Sequence, residues 1–353
     1  MKFGSRKEMD KYHNCSVKVL ISILAVVLAL LVSTMVGSVF ISPVQSCSIF
    51  MNKLFGMSLA DGIEANMVSI FWEIRVPRVL TAFLVGASLS VSGTVMQSVL
   101  QNPLASSYTL GVSSGASVGA AIIIVSGFSL PVIGNLTLPL TAFVFGLGTV
   151  LLAIGFSERL DKNMHNQTII LVGMVLSLFV NAILTLISAM FRQHIQQLTF
   201  WTMGSFSSRT WYHVSVLFPV CLVGTLILTY YSREMDILTF GDEQAMTIGV
   251  DTHKVKMTLL VIIAAMTGTA VCFAGVIGFI DLIAPHMVRR IFGPAHRVTI
   301  PMAAVFGGSF MVIADLISRT VAAPVEVPVG AVTALIGAPF FMYIFFHKGP
   351  AEK

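Results

Sequence analysis

The chain has 353 residues, 56% of them hydrophobic and 10% charged, with a net charge of +5 and a mean hydropathy of +0.90. Soluble domains carry roughly 25% charged residues, so this composition excludes a soluble enzyme or a separate globular domain and describes an integral membrane protein. The net +5 is read through where the cations sit in such a chain, not as affinity for nucleic acid.

The N-terminus is basic (Lys2, Arg6, Lys7, Lys11 and Lys18) and runs into an apolar stretch, Val19–Phe40. That stretch is too long for a secretory leader and lacks a convincing cleavage site; it predicts a first membrane helix. Nine further apolar segments follow: Leu80–Leu100, Leu110–Ser126, Leu138–Phe156, Thr168–Met190, Val214–Tyr231, Met257–Val276, the short Ile280–Ile291, Val298–Ile317 and Val329–Phe346. The fold expected is all-α: a single transmembrane domain over residues 1–353 with about ten membrane helices, residues 1–18 as a cytoplasmic tail and residues 232–256 as a cytoplasmic loop. With the N-terminus inside, fifteen Lys and Arg residues fall on the cytoplasmic side and six outside. The positive-inside bias therefore predicts both termini in the cytoplasm.

The densest pattern lies between Arg75 and Gly119. Arg75 and Arg78 bracket Pro77, and an apolar run follows whose small residues, Gly86, Ala87, Ser90 and Gly93, let another helix approach its backbone. A polar break, Gln101-Asn102-Pro103, ends that run. A second segment follows, rich in Gly and Ser. Gly86, Gly93, Pro103 and Gly111 recur at one offset as Gly268, Gly275, Pro285 and Gly293. This predicts a duplication pairing segments two to five with seven to ten. An odd number of crossings separates the copies, so they run in opposite directions, an architecture common in transporters.

The longest cytoplasmic connection, Ser232–Asp251, interleaves Ala245, Met246, Ile248 and Val250 with acids and glycines. A plain solvated loop needs no such apolar residues, so the stretch suggests short helices offering a docking surface to a soluble partner. The four cysteines (Cys15, Cys47, Cys221 and Cys272) have neither metal-ligand spacing nor a paired pattern. The chain has no phosphate-binding loop of the G-x-x-x-x-G-K-[ST] kind and no His/Cys cluster. His286 beside Pro285 reads as structural. Trp201 and Trp211 read as part of an interfacial belt. Asp281 and Asp315 lie in or near apolar segments, where acids are costly and mark function by default; Asp315 could instead pair with Arg319 one helical turn away.

Longer motifs carry a resemblance. They are R-x-P-R, G-A-x-L-x-x-S-G-x-x-M-Q, N-P-L-A and L-G-V-x-x-G-A in the first half, and G-D-E-x-A-x-x-[IL]-G-V in the loop. The second half adds G-x-I-G-F-I-x-L-x-x-P-H-x-x-R, G-P-x-H-R, A-D-x-x-x-R and E-V-P-V-G-x-V-T-A-x-I-G-A-P-x-F. Together, from Arg75 to Phe346, they resemble the FecCD-type permeases of ABC importers for iron chelates, haem and vitamin B12. Asp281 departs from the family pattern, which favours a small or apolar residue there. The resemblance implies a non-catalytic permease subunit in the cytoplasmic membrane of a bacterium or archaeon. It would work as a homodimer or heterodimer by alternating access. Two ATPase subunits would carry ATP and Mg²⁺, and an extracytoplasmic binding protein would deliver the chelate. Arg75, Arg78 and Arg319 would dock the binding protein; Asn102, Pro103 and Leu104 would line the cytoplasmic gate; Gly241, Asp242, Glu243, Ala245, Gly249 and Val250 would form the ATPase-coupling segment. The alternatives are a proton- or sodium-driven secondary transporter coupled through Asp281 or Asp315, and a membrane enzyme, for which no nucleophile or metal site stands out.

Overall fold

The computed structural model describes residues 3–37, 40–60, 62–131 and 134–346, with the side chains of residues 3–16, 135, 344 and 345 set aside. The cationic side chains of Lys2, Arg6, Lys7, Lys11, Lys348 and Lys353, and Cys15, thus lie outside what is described. The ten apolar segments each lie largely in a helix: α1 (Phe3–Met35), α4 (Val76–Val99), α5 (Val112–Ser126), α6 (Thr137–Leu160), α7 (Asn166–Met190), α9 (Trp211–Tyr230), α12 (Thr252–Ala274), α13 (Ile280–Phe292), α14 (His296–Thr320) and α15 (Val329–Phe346). Among the described residues, seven helices are long and apolar enough to cross a membrane; α5 and the described part of α15 are apolar but shorter. The first segment's helix stops at Met35, short of Phe40.

Five short helices fill connections. They are α2 (Pro43–Phe55) and α3 (Ala65–Ser69) before α4, α8 (Ile195–Met203) before α9, and α10 (Ser232–Leu238) and α11 (Asp242–Thr247) within the long connection. A π-helical turn, Ile70–Arg75, joins α3 to α4. Pro77 sits in the first turn of α4, where a missing N–H costs nothing.

Helix α4 is the centre of the fold. Nearly all of its side chains are buried, from Val76 to Val99, and it packs on α9, α12, α13 and α14. Lipid tails are as apolar as leucine, so close van der Waals packing has to hold such helices together. The sequence supplies it with small residues. A Cβ added to Gly86 would stand 2.3 Å from the carbonyl oxygen of Gly307, and one added to Gly307 would stand 2.3 Å from Cβ of Ser90. The hydroxyls of Thr94 and Ser98 bond back to the carbonyls of Ser90 and Thr94 at 2.9 and 3.1 Å, a local solution for polar groups without water.

The helix ends define two sides. Arg75 and Arg78, at the start of α4, meet the end of α1 and the end of α14. The last turn of α4 and the loop after it meet α10 and the start of α14. Helix α12 begins beside α11, where Lys256 meets Asp242, so it runs antiparallel to α4. The helix lengths of the two halves correspond in order: 24, 15, 24 and 25 residues in α4 to α7, and 23, 13, 25 and 18 in α12 to α15.

The α4–α14 crossing generates a direct test. Gly307→Val forces branched carbons into backbone and should destabilise by about 1–3 kcal/mol. Gly148→Ala, which meets no atom within 4 Å, should stay within about 0.5 kcal/mol of the parent. Thermal unfolding midpoints in detergent compare the two; equal midpoints would show that the crossing is not tightly packed.

Candidate functional site

The long connection is a folded platform. Ala245 is fully buried and Val250 packs against the main core, while Phe240, Met246 and Ile248 are exposed, the first and last by about two thirds. Glu243 and Gly249 are also exposed, and Gly241 and Asp242 are half-buried. Gly249 has φ of +96° and would meet nothing within 4 Å of an added Cβ. The segment thus offers an apolar ledge outward while Ala245 and Val250 anchor it inward.

Two sets of polar contacts fix the platform to the transmembrane helices. Lys256, in the first turns of α12 and one residue before its apolar run, is 1% exposed. Its Nζ donates to Asp242 Oδ2 at 2.5 Å, Asn166 Oδ1 at 2.7 Å and the Met164 carbonyl at 3.2 Å. Asp242 is at the first turn of α11, where a carboxylate also meets the positive end of the helix. Asp251 caps α12: it accepts from the Lys254 N–H at 3.1 Å and pairs with Lys254 Nζ at 2.8 Å. The Lys254 side-chain and backbone bonds hold its carboxyl below the ordinary carboxylate range.

The second set runs from α10 to the end of α4. Asp236 Oδ1 lies 2.5 Å from His296 Nδ1 and accepts from the His296 N–H at 3.1 Å. The other ring nitrogen of His296 lies 2.5 Å from Ser98 Oγ. Arg289 of α13 reaches the same Ser98 Oγ at 3.3 Å and Gln97 Oε1 at 2.7 Å. Gln101 Nε2 donates to the Leu238 carbonyl at 2.6 Å. Helix α10 is therefore bonded to α14 and to the loop after α4, and through His296 to Ser98 of α4.

That loop holds Asn102, Pro103 and Leu104. Asn102 Oδ1 accepts from the Leu104 N–H at 2.9 Å, a local turn, and Leu104 is exposed. His286 Nε2–H donates to the Pro103 carbonyl at 3.1 Å, so its structural reading stands. Asp281, 1% exposed, holds the loop from the other side. Its Oδ2 accepts from the Ser106 hydroxyl, the Ser107 N–H at 2.9 Å and the Ser107 hydroxyl at 3.0 Å. Tyr108 donates to the Ile277 carbonyl at 2.9 Å. Gln101 and Phe279, which start the loop and the helix joined by Asp281, both have positive φ without being glycine. Such backbone persists where its surroundings over-determine it.

At the opposite end the structure brings Arg75, Arg78 and Arg319 together, but turns them inward. Arg75 is 4% exposed and donates to the carbonyls of Thr34 and Met35 at 3.1 and 2.9 Å, capping α1. Arg78 pairs with Asp315 at 2.8 Å and Glu326 at 2.6 Å. Arg319 donates to the Ser33 carbonyl and, at 2.8 Å, to its hydroxyl, with Asp315 at 3.6 Å. The three guanidiniums thus form a buried network and not an exposed rim. A guanidinium at this depth needs carboxylates and carbonyls in place of water. The one-turn pairing of Asp315 with Arg319 is present, but Arg78 is the nearer partner.

Sequence reasoning missed Lys256, Asp236 and His296. Lys256 carried only the signal of a charge at the edge of an apolar run, which a loop cation shares. Asp236 and His296 carried none, since their contact spans 60 residues.

The Lys256 pin should be measurable. Lys256→Met leaves Asp242 half-buried without its cation and should cost about 3 kcal/mol. Adding Asp242→Asn should recover a large part of that loss, a coupling expected of residues in contact. Thermal unfolding of the two single variants and the double variant gives the cycle; additive losses would deny the pair a role.

Residues 24–347 match the FecCD transport family. The chain is 39% identical over 315 residues to the ABC transporter permease protein YvrB of Bacillus subtilis, covering 89% of each chain. It is 38% identical over 292 residues to the cobalamin import system permease protein BtuC of Halobacterium salinarum, covering 82% of this chain and 77% of the relative. It is 35% identical over 333 residues to the hemin transport system permease protein HmuU of Yersinia pestis, covering 92% and 95%. Among solved structures, an inward-facing metal-chelate-type ABC transporter superposes with a TM-score of 0.81 at 28% identity, covering 94% of this chain and 99% of that one. A buried α4 bonded at one end to a folded platform and at the other to a carboxylate–arginine network is thus the frame of a permease: the chain belongs to the FecCD transport family.

Proposed function

We propose that this chain is the membrane subunit of an ATP-driven importer that moves a metal chelate or tetrapyrrole, such as an iron–siderophore, haem or a corrinoid, into the cell by alternating access. One observation carries the reading: an exposed apolar ledge (Phe240, Met246, Ile248) on a base bonded directly to the loop of Asn102, Pro103 and Leu104. A soluble ATPase seated on the segment of Gly241, Asp242, Glu243, Ala245, Gly249 and Val250 would touch its exposed Glu243 and Gly249, with Ala245 and Val250 anchoring the segment from below. It would move that loop as it moves the ledge. ATP and Mg²⁺ belong to that partner, and the permease performs no covalent step. The platform end is then cytoplasmic, in line with the lysine and arginine distribution. The antiparallel course of α4 and α12, with similar lengths in the first three helix pairs, supports an inverted repeat. A second permease subunit completes the pathway. The relatives are permeases of ABC systems, and Asp315 is already paired with Arg78; both favour this reading over ion-coupled secondary transport.

At the outer end, docking of a binding protein works by exchange. Glu326 is the partly exposed member of the arginine network, with 38% of its side chain open. An acidic residue of the incoming protein would displace it from Arg78, while Arg75 and Arg319 hold the site in register.

Reconstitution with the cognate ATPase and binding protein tests the assignment. ATP-dependent uptake of a chelate or corrinoid is expected, and uptake driven by a proton or sodium gradient without the ATPase would overturn it. Gly249→Asp strains a left-handed backbone by about 1–2 kcal/mol and places a charge in the partner interface. The variant should insert normally, lose transport and no longer co-purify with ATPase; undiminished transport would refute the coupling role.

The exchange is tested separately. Glu326→Gln removes the competitor and should tighten binding-protein association about two- to fivefold at low salt, the scale of a partly exposed pair. The gain should fade at high salt. Unchanged affinity in a binding measurement would place docking elsewhere.

A further inference from the structure

Helix α2 is the element the transport reading leaves unused. It is a well-formed helix of 13 residues, closed by a Ser42–Gln45 capping box and by Gly56 in the left-handed conformation. At ~1.5 Å per residue it is about 20 Å long, too short to cross a hydrocarbon core of ~30 Å. One side is anchored: Ile49 packs with Ile41, Phe71 and Val76 in a small core separate from the main one.

The opposite side is apolar and uncovered. Placed on a helical wheel, Val44, Cys47, Phe50, Met51, Leu54 and Phe55 share one arc, and all six are exposed. Gln45, Ser46, Ser48, Asn52 and Lys53 fall outside that arc. Two of these polar residues are tied to the chain that follows: Asn52 donates to the Met57 carbonyl at 2.6 Å, and Ser48 accepts from the Ala60 N–H at 2.9 Å.

The aromatic neighbours set the depth. The Phe50 ring stands edge-on to Trp72 at 6.0 Å, and Trp72 lies 4.9 Å from Trp211. Trp211 Nε1–H donates to the Trp72 carbonyl at 2.9 Å. Trp211 opens the α9 span, and Trp72 lies in the lead-in to α4. Tryptophans at span ends mark the membrane–water boundary. Leu24, Leu28 and Leu31 of α1, and Phe40 just before α2, are exposed apolar residues as well. Exposed apolar surface at the level of these tryptophans is matched to lipid.

From this placement we propose that α2 is a monolayer anchor: it lies in the outer boundary layer of the bilayer with its Val44–Phe55 arc inserted among lipid chains just below the headgroups. The occupant of the face is the bilayer, not a protein. This holds if the chain spans a membrane and does not depend on what it transports or what drives it.

Cys47, in the middle of the arc, allows a direct reading. In the full chain with Cys15, Cys221 and Cys272 replaced by serine, reconstituted in phospholipid nanodiscs, Cys47 is labelled with an environment-sensitive fluorophore. Leu54→Cys, with Cys47 also replaced, provides a second position on the face. Ser58→Cys, in the exposed turn after α2, provides the comparison. The Cys47 and Leu54→Cys labels should emit to the blue of the Ser58→Cys label. Spin-labelled lipids should quench them about twofold more, as for groups sunk ~5–10 Å into the boundary. Aqueous iodide should quench Ser58→Cys preferentially. Water-like emission with strong iodide quenching at both face positions would overturn the proposal. So would protection from both quenchers, which would mean that a second copy of the chain covers the face.

Discussion

The polar bonds at the two ends of α4 are the constraint on which the rest depends. Along its length α4 is held by close packing of small residues, which fixes distance but not register. At its start, Arg78 lies between Asp315 and Glu326. At its finish, Ser98 sits between His296 and Arg289, and Gln101 reaches α10. Removing one partner from a buried charged pair, as at the start, costs about 3–5 kcal/mol. A hydrogen bond to a charged group, as from Arg289 at the finish, contributes about 1.5–3 kcal/mol. Both ends of α4 are therefore tied more firmly than packing alone would tie them. A helix fixed in this way can transmit a displacement from one membrane face to the other without deforming.

The transport mechanism follows from that rigidity. The platform carries an apolar ledge that the isolated chain leaves uncovered, and its base is a buried lysine–aspartate pair. The loop after α4 is bonded to that platform on one side and to Asp281 on the other. Asp281 holds Ser106 and Ser107 through one carboxylate oxygen. Its other oxygen is buried with no hydrogen-bond partner among the described residues. The carboxylate thus holds the loop through a single oxygen.

Much of the fold was legible in the sequence because apolar run length is a direct measure of membrane crossing. All ten apolar segments lie largely in helices, and the seventh and eighth are separated by a break at residues 275–279. The short helices α2 and α8 were not legible, since polar residues interrupt them and neither reaches spanning length. The arginines show where legibility ends. Their positions at helix ends reveal depth, but the direction of a guanidinium depends on partners such as Asp315, 237 residues from Arg78. Asp315 and Arg319 could be paired from their spacing alone because they share a helix face. Lys256 was counted among loop cations because it lies near a segment boundary, and only the fold shows that α11 closes over it.

The account's central claim is that the platform and the loop after α4 move as one body. Spin labels at Leu104→Cys and Met246→Cys, both exposed, report on it by pulsed dipolar spectroscopy in a transporter with one labelled copy. The distance distribution within the labelled chain should stay the same with and without ATP bound to the partner subunits, while the distance from Leu104→Cys to a label on the second permease subunit shifts. A change in the Leu104–Met246 distance on adding ATP, with no shift across the subunits, would contradict it.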